Sequence, residues 1–504
     1  MKAFLMYRDH DFELNRDLPV SAPALIQDLE LKTLFNAMAL GDEVLFQVAA
    51  KAVLSGITDL DIIIYRQNIL KDSIRNSAII RDIYGLAVEA IEKKKKGYWG
   101  FFGRPSLYSL IEVLQMYVGI LKKMRAIADG HLEKFESEGM TALLAMLQQE
   151  LSEEYFTLIQ KHLVELKFRD GVLISAELGE GNKGVNYTLR RPVGKKQNWL
   201  GRIFTAKPTV YAYYVHERDE SGSRALSELK DRGINLVISA LAQSNDHIYS
   251  FFTMLRTELA FYIGCLNLYE RLAQKGESVT FPIPAGLGEH KLSFNGLYDV
   301  CLAVSMEHEV VGNDVNADDK SLLIITGANQ GGKSTFLRSI GQAQLMMQCG
   351  MFVPADYYCA NVCSSLFSHF KREEDSAMNS GKLDEELKRM SNIVDKISSH
   401  SMLLFNESFS ATNEREGSEI AGQIVRALLD KRIKVCFVTH LYQFAHGCYE
   451  QKMENALYLR AEREIDGQRT FKMVQGEPLQ TSYGADLYNH IFNTDGEPGQ
   501  CEGI

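Results

Sequence analysis

Residues 322–335 read LLIITGANQGGKST, and they decide how the second half of the chain folds. The apolar run 322–326 predicts a buried strand, and apolar residues recur at helical spacing over 336–347. Between them, residues 327–335 match G-x-x-x-x-G-K-[ST], the pattern of a phosphate-binding loop. Glycines let backbone N–H groups turn toward phosphates, at a helix N-terminus that favours anions. The stretch therefore predicts a nucleotide-phosphate site.

The side chains of this loop have distinct predicted roles. Lys333 would reach the β- and γ-phosphates, and Ser334 would bind Mg²⁺. The expected nucleotide contacts are Gly327, Asn329, Gly331, Gly332, Lys333, Ser334 and Thr335. A chance glycine-rich turn is the alternative, but the strand before the loop and the helix after it are the context that the motif requires.

Two further apolar runs end in polar side chains. Residues 402–405 are followed by Asn406 and Glu407, and residues 435–438 by Thr439 and His440. P-loop ATPases place an acidic residue at such a strand end for the Mg²⁺ shell. We expect Asn406 and Glu407 near the metal and Glu407 to orient or deprotonate a water molecule. His440 could contact the γ-phosphate; taken alone, it is more simply a hydrogen-bonded histidine at a strand end.

Composition narrows the class of protein. The chain has 504 residues, 46 % hydrophobic and 24 % charged, with a formal charge of −10. These are globular values. No uncharged apolar run approaches the ~18 residues of a spanning helix, and the N-terminus lacks an apolar signal region. Cysteines in a chain this large are read as reduced thiols, and the expected location is cytoplasmic, with no membrane partner.

One segment reverses the charge of this acidic chain. Between residues 181 and 216 there are seven basic residues and no Asp or Glu. They are Lys183, Arg190, Arg191, Lys195, Lys196, Arg202 and Lys207. Aromatic residues lie among them, and clustered Lys and Arg are what a phosphate backbone requires. The segment favours nucleic-acid binding, and a basic loop that meets an acidic protein face is the alternative.

Periodicity on either side of this segment predicts helices. Apolar residues at helical spacing run over 110–124, and a heptad-like seam runs over 248–269. The two helices could pair as an antiparallel arm, or each could be an amphipathic core helix. Short β-like runs at 172–175, 187–189 and 209–215 lie between them. From about residue 276, strand-like and helix-like segments alternate, which indicates an α/β domain.

Taken together, these residues resemble the MutS family of DNA mismatch-repair ATPases. The resemblance spans about 320–485. Its motifs are the loop with Asn329 and Gly331-Gly332, then Phe352-Val-Pro-Ala355, Glu407, Thr412 with Glu416-Gly417, Thr439-His440 and Ser482-Tyr483-Gly484. A fainter resemblance to the family's helical core covers 28–73.

The resemblance implies a multi-domain fold. It has an α-helical core and long lever helices with a small β-containing clamp-like insert, then a C-terminal α/β P-loop ATPase domain of the ABC type. The expected boundaries are 1–105 for the core, 106–160 for the first lever helices, 161–220 for the basic insert, 221–275 for the second lever helices and 276–504 for the ATPase domain.

The resemblance also implies ATP and Mg²⁺ as cofactors and a homodimer with composite sites. A segment near Asn379-Ser380-Gly381-Lys382 would close the partner's site, although the family's Ser-x-Phe pattern is not clean here. Phe281 is a candidate for the family's adenine-stacking aromatic, and core packing is the simpler explanation for it.

This sequence departs from the family in two ways. Asn406 stands where the family usually has Asp, so we expect weaker Mg²⁺ affinity or slow turnover. No counterpart of the N-terminal mismatch-reading domain is expected in this chain.

The expected function is ATP binding and hydrolysis coupled to clamping of mismatched, branched or otherwise irregular duplex DNA. An ATPase that acts on structured RNA or ribosomes, or a nucleotide-gated protein-docking module, is the alternative.

Overall fold

The computed structural model describes residues 1–98, 106–168, 171–190, 211, 212, 214–216, 218–372, 381–464 and 469–480. The chain divides into two compact units. The first comprises residues 1–2, 82–132 and 143–256, and the second comprises 3–81, 133–142 and 257–504. The expected boundaries at 105, 160, 220 and 275 stay predictions.

The described part of the chain is rich in helices. They are α1 Ala22–Asp28, α2 Leu31–Ala39, α3 Glu43–Val53, α4 Leu60–Arg75, α5 Ser77–Tyr98, α6 Leu107–His131, α7 Glu138–Glu150, α8 Glu153–Glu165, α9 Glu220–Gln274, α10 Val300–Ser305, α11 Lys333–Gln348, α12 Lys382–Val394, α13 Glu414–Asp430 and α14 Tyr442–Glu450. Within the residues that the structure describes, no helix is both long and apolar enough to cross a membrane.

The strands of the described residues form three sheets. They are β1 Leu173–Leu178, β2 Gly184–Arg190, β3 Ile283–Ala285, β4 Leu292–Leu297, β5 Asn313–Asn316, β6 Leu322–Gly327, β7 Tyr357–Asn361, β8 Leu366–Phe370, β9 Met402–Asn406, β10 Lys434–Val438, β11 Ala456–Arg463 and β12 Arg469–Gln475. Strands β1 and β2 pair alone, as an antiparallel hairpin.

Helix α6 and the part of α9 up to Arg256 lie in the first unit, on either side of the basic segment in sequence. The ring of Tyr117 on α6 stacks on Phe252 of α9 at 5.7 Å, and the Asn245 side chain donates to the Leu110 carbonyl. Residue numbers rise together along both helices, so α6 and α9 run in the same direction. The antiparallel pairing was wrong for these two helices, whereas their helical character is confirmed.

The β-like runs of the insert are confirmed in part. The first two lie in β1 and β2, whose register pairs Leu173 with Arg190. Residues 209, 210 and 213 of the third run lie outside the described residues, and its other four residues, 211, 212, 214 and 215, are not in a strand. A strand requires a partner for its ladder of backbone hydrogen bonds, and the apolar pattern alone does not supply one.

In the second unit, the six-stranded sheet confirms the expected α/β pattern. Its order is β12-β11-β6-β10-β9-β8, with β12 antiparallel at one edge and the other neighbours parallel. Every residue of β6 is buried. This agrees with the near-continuous apolar run expected of a strand that is covered on both faces.

A core between this sheet and the helices that cover it fixes the strand ends. Phe405 of β9 stacks on Phe437 of β10 at 4.7 Å, and Phe437 contacts Phe444 of α14 at 5.1 Å. A smaller sheet of order β3-β7-β4-β5 lies in the same unit. Close packing restricts movement of these strands, so the polar residues that follow them are held in fixed positions.

Candidate functional site

The carboxyl ends of β6, β10 and β9 meet at one edge of the six-stranded sheet. The parallel register pairs Val438 with Ile325 on one side and with Asn406 on the other. The three polar segments singled out in the sequence therefore follow neighbouring strands at the same level. In open α/β sheets, the crevice at this edge is where ligands bind.

Glycines shape the loop that follows β6. Gly327 has φ +107°, and a Cβ there would lie 2.8 Å from the Ala461 backbone nitrogen. Gly332 has φ +82°, and α11 begins directly after it at Lys333. L-residues with side chains rarely adopt these angles. The N–H groups in the first turn of α11 have no carbonyl partner within the helix, so they are available to an anion.

The Lys333 side chain folds back over this loop. Its ammonium donates to the carbonyl oxygens of Gly327 at 3.1 Å and Ala328 at 2.8 Å. Burial lowers the pKa of Lys333 to about 8; Glu407 opposes this shift and Arg469 adds to it. A buried ammonium held by neutral carbonyls is stabilised by an approaching phosphate, because the anion supplies the missing countercharge.

Ser334 and Asn406 are joined directly. The Ser334 hydroxyl lies 3.0 Å from the Asn406 side-chain oxygen, and both side chains are partly buried. The strand end thus delivers an oxygen to the first turn of α11. Both groups offer neutral oxygen atoms of the kind that a hard cation accepts.

Glu407 and His440 form the second polar pair at this edge. His440 Nε2 lies 3.1 Å from Glu407 Oε1, and about a third of each side chain is exposed. The hydrogen bond with His440 is the main cause of a lowered pKa at Glu407, and burial acts against it. Glu407 has φ +54°, a rare conformation for a residue with a side chain. Backbone strain of this kind is concentrated at functional sites.

A cavity of about 460 Å³ lies over the loop. Its walls include Asn329, Gly331, Gly332, Lys333, Ser334, Thr335 and Glu407. The structure therefore brings together most of the predicted nucleotide contacts and the predicted general base. Gly327, Asn406 and His440 are not part of this wall, but each is hydrogen-bonded to one of its residues.

Phe281 does not line this cavity. Its ring packs edge-on against Phe352 at 6.5 Å, and Lys71 Nζ lies 5.0 Å from its centre. This placement agrees with the core-packing explanation, and the base-stacking role of Phe281 stays a prediction.

The apolar end of the cavity is built from residues that the sequence did not single out. They include Leu297, Tyr298, Val310, Val311 and Phe471. Phe471 is 47 % exposed, and its ring lies beside Gly332. The alternating pattern of 469–475 could have indicated a strand. However, its position beside the loop depends on the pairing of β11 with β6, for example Ala461 with Gly327, which is a long-range contact that local sequence does not specify.

Two of the seven basic residues of the segment 181–216 fall within the described chain. Lys183 and Arg190 are both exposed, and Arg190 Nε donates to Ser175 Oγ at 2.8 Å across the hairpin. The predicted contacts Arg191, Lys195, Lys196, Arg202 and Lys207 lie outside the described residues, as do Asn379, Ser380 and the Ser482-Tyr483-Gly484 motif. Gly381 and Lys382 are described, at the start of α12.

Two family descriptions match the chain. The MutS2 N-terminal domain matches residues 58–275, and MutS domain V matches residues 323–494, which include the loop, Glu407 and His440. The second match covers the segment on which the sequence resemblance rested.

Individual relatives of the chain also carry MutS names. The DNA mismatch repair protein MutS of Lactobacillus delbrueckii subsp. bulgaricus is 29 % identical over 290 residues, which are 54 % of this chain and 33 % of that protein. MutS protein homolog 4 of Mus musculus is 30 % identical over 167 residues, 33 % of this chain and 17 % of that protein. The chain thus spans a third or less of these relatives, and it belongs to the MutS family.

Proposed function

We propose that this chain binds ATP with Mg²⁺ in the cavity over residues 327–335 and hydrolyses it. One observation carries the proposal. Lys333, the Ser334–Asn406 pair and the Glu407–His440 pair converge at the carboxyl ends of three adjacent parallel strands. A phosphate-binding loop, oxygen ligands for a cation and a carboxylate for water are the parts that phosphoryl transfer requires.

The loop supplies the phosphate contacts in this proposal. Lys333 exchanges the carbonyls of Gly327 and Ala328 for phosphate oxygens, and backbone N–H groups at the start of α11 donate to the same anion. Both interactions become stronger as negative charge is redistributed over the phosphate oxygens during cleavage. The apolar wall with Val310, Val311 and Phe471 faces the adenine end of the nucleotide.

The residues around Ser334 fit a magnesium ion. Ser334 and Asn406 offer oxygen atoms 3.0 Å apart, and Glu407 supplies a carboxylate at the same edge. Mg²⁺ favours sites with one or two carboxylates together with substrate phosphates. When bound, the ion would neutralise charge on the phosphate oxygens. Ser334 and Asn406 would hold it, and Asn406 would do so without a charge of its own.

Glu407 is the proposed general base. Its carboxylate accepts a proton from a water molecule while the water oxygen attacks the γ-phosphorus. The bond from that phosphorus to the β,γ-bridging oxygen breaks, which leaves ADP and inorganic phosphate. His440 keeps the carboxylate ionised, because its hydrogen bond lowers the pKa of Glu407. In this proposal His440 acts on Glu407 and also contacts the γ-phosphate.

We further propose that a homodimer of this chain couples the nucleotide cycle to clamping of mismatched, branched or irregular duplex DNA. Three observations support this: the relatives named as DNA mismatch repair proteins, the exposed Lys183 and Arg190, and the basic composition of 181–216. A cytoplasmic location remains part of the same proposal. Because coupling is reciprocal, DNA must change ATP affinity if ATP changes DNA affinity.

The decisive experiment measures ATP turnover at low salt with homoduplex, mismatched and branched DNA and with structured RNA. Stimulation by irregular DNA that is lost in Lys333→Ala supports the proposal. A salt-sensitive preference for RNA favours an enzyme that acts on RNA or ribosomes. Turnover that no nucleic acid affects favours the protein-docking alternative.

A second variant tests the basic segment. Reversing charge at Arg190, Arg191, Lys195 and Lys196 should abolish nucleic-acid binding and leave basal turnover intact. The matched control reverses four exposed lysines of the second unit, Lys32, Lys396, Lys431 and Lys452, and so changes the net charge equally. Unaltered binding in the first variant means that the segment is not the contact surface.

A further inference from the structure

The backbone that carries Glu407 is held in an unfavourable conformation. Glu407 has φ +54° and Phe409 has φ +63°, so two left-handed residues with side chains flank Ser408. Such conformations persist only where the surrounding structure enforces them. The residues that enforce this turn therefore determine where the Glu407 carboxylate points.

One holding contact comes from α12. The Glu386 carboxylate accepts a hydrogen bond of 2.8 Å from the Phe409 backbone N–H. Glu386 is buried, and burial raises its pKa, while the bond from Phe409 and the nearby Arg389 and Lys371 favour the ionised form. A buried carboxylate acting through a single backbone donor fixes the second left-handed residue directly.

A second contact comes from β8. His369 Nδ1 lies 2.7 Å from Ser408 Oγ, and His369 Nε2 lies 3.0 Å from the Glu386 backbone oxygen. Burial lowers the pKa of His369 to about 4, so the ring is neutral at physiological pH. The proton then sits on Nε2, which donates to the Glu386 backbone oxygen. Nδ1 and the His369 backbone oxygen, which lies 2.6 Å from Ser408 Oγ, are then both acceptors for the one Ser408 hydroxyl proton.

The two contacts form one unit. Glu386 holds Phe409 with its side chain and holds His369 with its backbone, while His369 holds Ser408 and stacks on the Phe409 ring at 5.4 Å. On the other side, Gly417 of α13 lies so close to the Phe409 carbonyl oxygen that a Cβ there would be 2.4 Å from it. The turn after Glu407 is thus enclosed on several sides.

We propose that Glu386 and His369 are positioning residues for the proposed general base, and that they act by locking the turn at Ser408 and Phe409. This inference rests on the proposed hydrolysis by Glu407. Neither side chain lines the nucleotide cavity. Their loss should therefore slow the chemical step without weakening nucleotide binding, since misplacing a catalytic group by about 1 Å costs roughly 100-fold in rate.

The test uses the full chain and compares single-turnover ATP hydrolysis with nucleotide affinity. Glu386→Ala should hydrolyse ATP roughly 100-fold more slowly, with a Kd for a fluorescent ATP analogue within about twofold of wild type. Glu386→Gln keeps an oxygen that can accept the Phe409 N–H and should restore most of the rate. Asp384→Ala, which removes an exposed acid from the first turn of the same helix, should behave as wild type.

Ser408→Ala keeps the test valid if Glu386→Ala fails to fold. It removes the His369 contact without a change of charge, and it should slow hydrolysis at unchanged affinity. Equal rates in wild type and Glu386→Ala, equal losses in the Gln and Ala variants, or parallel losses of rate and affinity would each overturn the positioning role. Glu407→Gln separates the two proposals. Wild-type turnover in that variant overturns both, whereas an inactive Glu407→Gln beside an active Glu386→Ala overturns only this one.

Discussion

The Ser334 hydroxyl lies within hydrogen-bond distance, 3.0 Å, of the Asn406 side-chain oxygen, across the gap between the first turn of α11 and the end of β9. Where the family resemblance implies an aspartate that carries a negative charge toward a metal ion, this chain has a neutral amide. It keeps the position and the oxygen atom and lacks the charge. The consequence should appear in the metal dependence of the reaction.

Asn406→Asp should lower the Mg²⁺ concentration required for half-maximal ATP hydrolysis. The added carboxylate strengthens attraction to the cation, because hard divalent ions favour charged oxygen ligands. We expect a shift of about tenfold, corresponding to ~1.4 kcal/mol. The measurement is a Mg²⁺ titration of turnover at fixed ATP. Ser334→Ala should shift the same titration in the opposite direction. An unchanged midpoint in Asn406→Asp would show that this position does not act on the metal.

Lys333 predicts a pH dependence of nucleotide binding. Its pKa in the free protein is about 8, and bound phosphates favour the protonated form. Binding therefore takes up a proton above pH 8, and nucleotide affinity should fall about tenfold per pH unit there. Calorimetry in buffers of different ionisation enthalpy measures the proton uptake. Lys333→Met should bind weakly with no proton uptake, and uptake that persists in that variant would assign it to another group.

The folding stability should also depend on the protonation of Lys333, and it should rise over the pH range in which nucleotide affinity falls. The pKa of Lys333 in the folded protein lies below the ordinary lysine value of 10.5, so the unfolded chain binds more protons between pH 8 and 10.5. The protonated Lys333 therefore destabilises the folded state below this window, and that loss of stability disappears as pH rises through it. Bound nucleotide should abolish this contribution, because the phosphates hold the proton on Lys333.

His440→Ala should move the acid limb of the pH–rate profile to higher pH. The hydrogen bond from His440 is the main cause of the lowered pKa at Glu407. Without it the carboxylate is protonated at a higher pH, and a protonated carboxylate cannot accept a proton from water. Single-turnover rates between pH 4 and 8 provide the profile. A uniform fall in rate with no displacement of the limb would mean that His440 acts on the phosphate alone.

The local sequence predicted the phosphate-binding loop and the polar strand ends of this site better than it predicted which other segments lie beside them. The loop at 327–335, Glu407 and His440 each follow a short apolar run, and a parallel sheet necessarily brings such strand ends to one edge. Phe471 was not singled out, because its place beside Gly332 depends on the long-range pairing of β11 with β6, and the base-stacking role of Phe281 stays a prediction. The predicted antiparallel pairing of α6 and α9 was wrong for the same reason. A heptad seam marks the buried face of a helix and carries no information about the direction of its partner.

Phe471→Ala should weaken nucleotide binding and reduce discrimination between ATP and triphosphates with smaller bases. The exposed ring beside Gly332 offers an aromatic face at the apolar end of the cavity. Loss of one aromatic contact costs about 1–3 kcal/mol, and phosphate contacts stay intact. Competition between ATP, CTP and inorganic triphosphate measures the effect. Phe281→Ala is the control and should leave the order of affinities unchanged. Equal losses for ATP and inorganic triphosphate would exclude contact with the base.

Gly327→Ala should destabilise the second unit. The residue has φ +107°, and its Cβ would approach the Ala461 backbone nitrogen to 2.8 Å, in the next strand of the sheet. Backbone atoms in a paired strand cannot move aside cheaply, so we expect a loss of about 2–4 kcal/mol in the free energy of unfolding.

Gly447→Ala is the matched control. This glycine lies within α14 with open space around it, and alanine there should raise stability by about 0.5–1 kcal/mol. Denaturant titrations of both variants measure the difference. Equal stability would mean that the loop relaxes around the added methyl group, and that the glycine serves phosphate approach rather than the packing of β6 against β11.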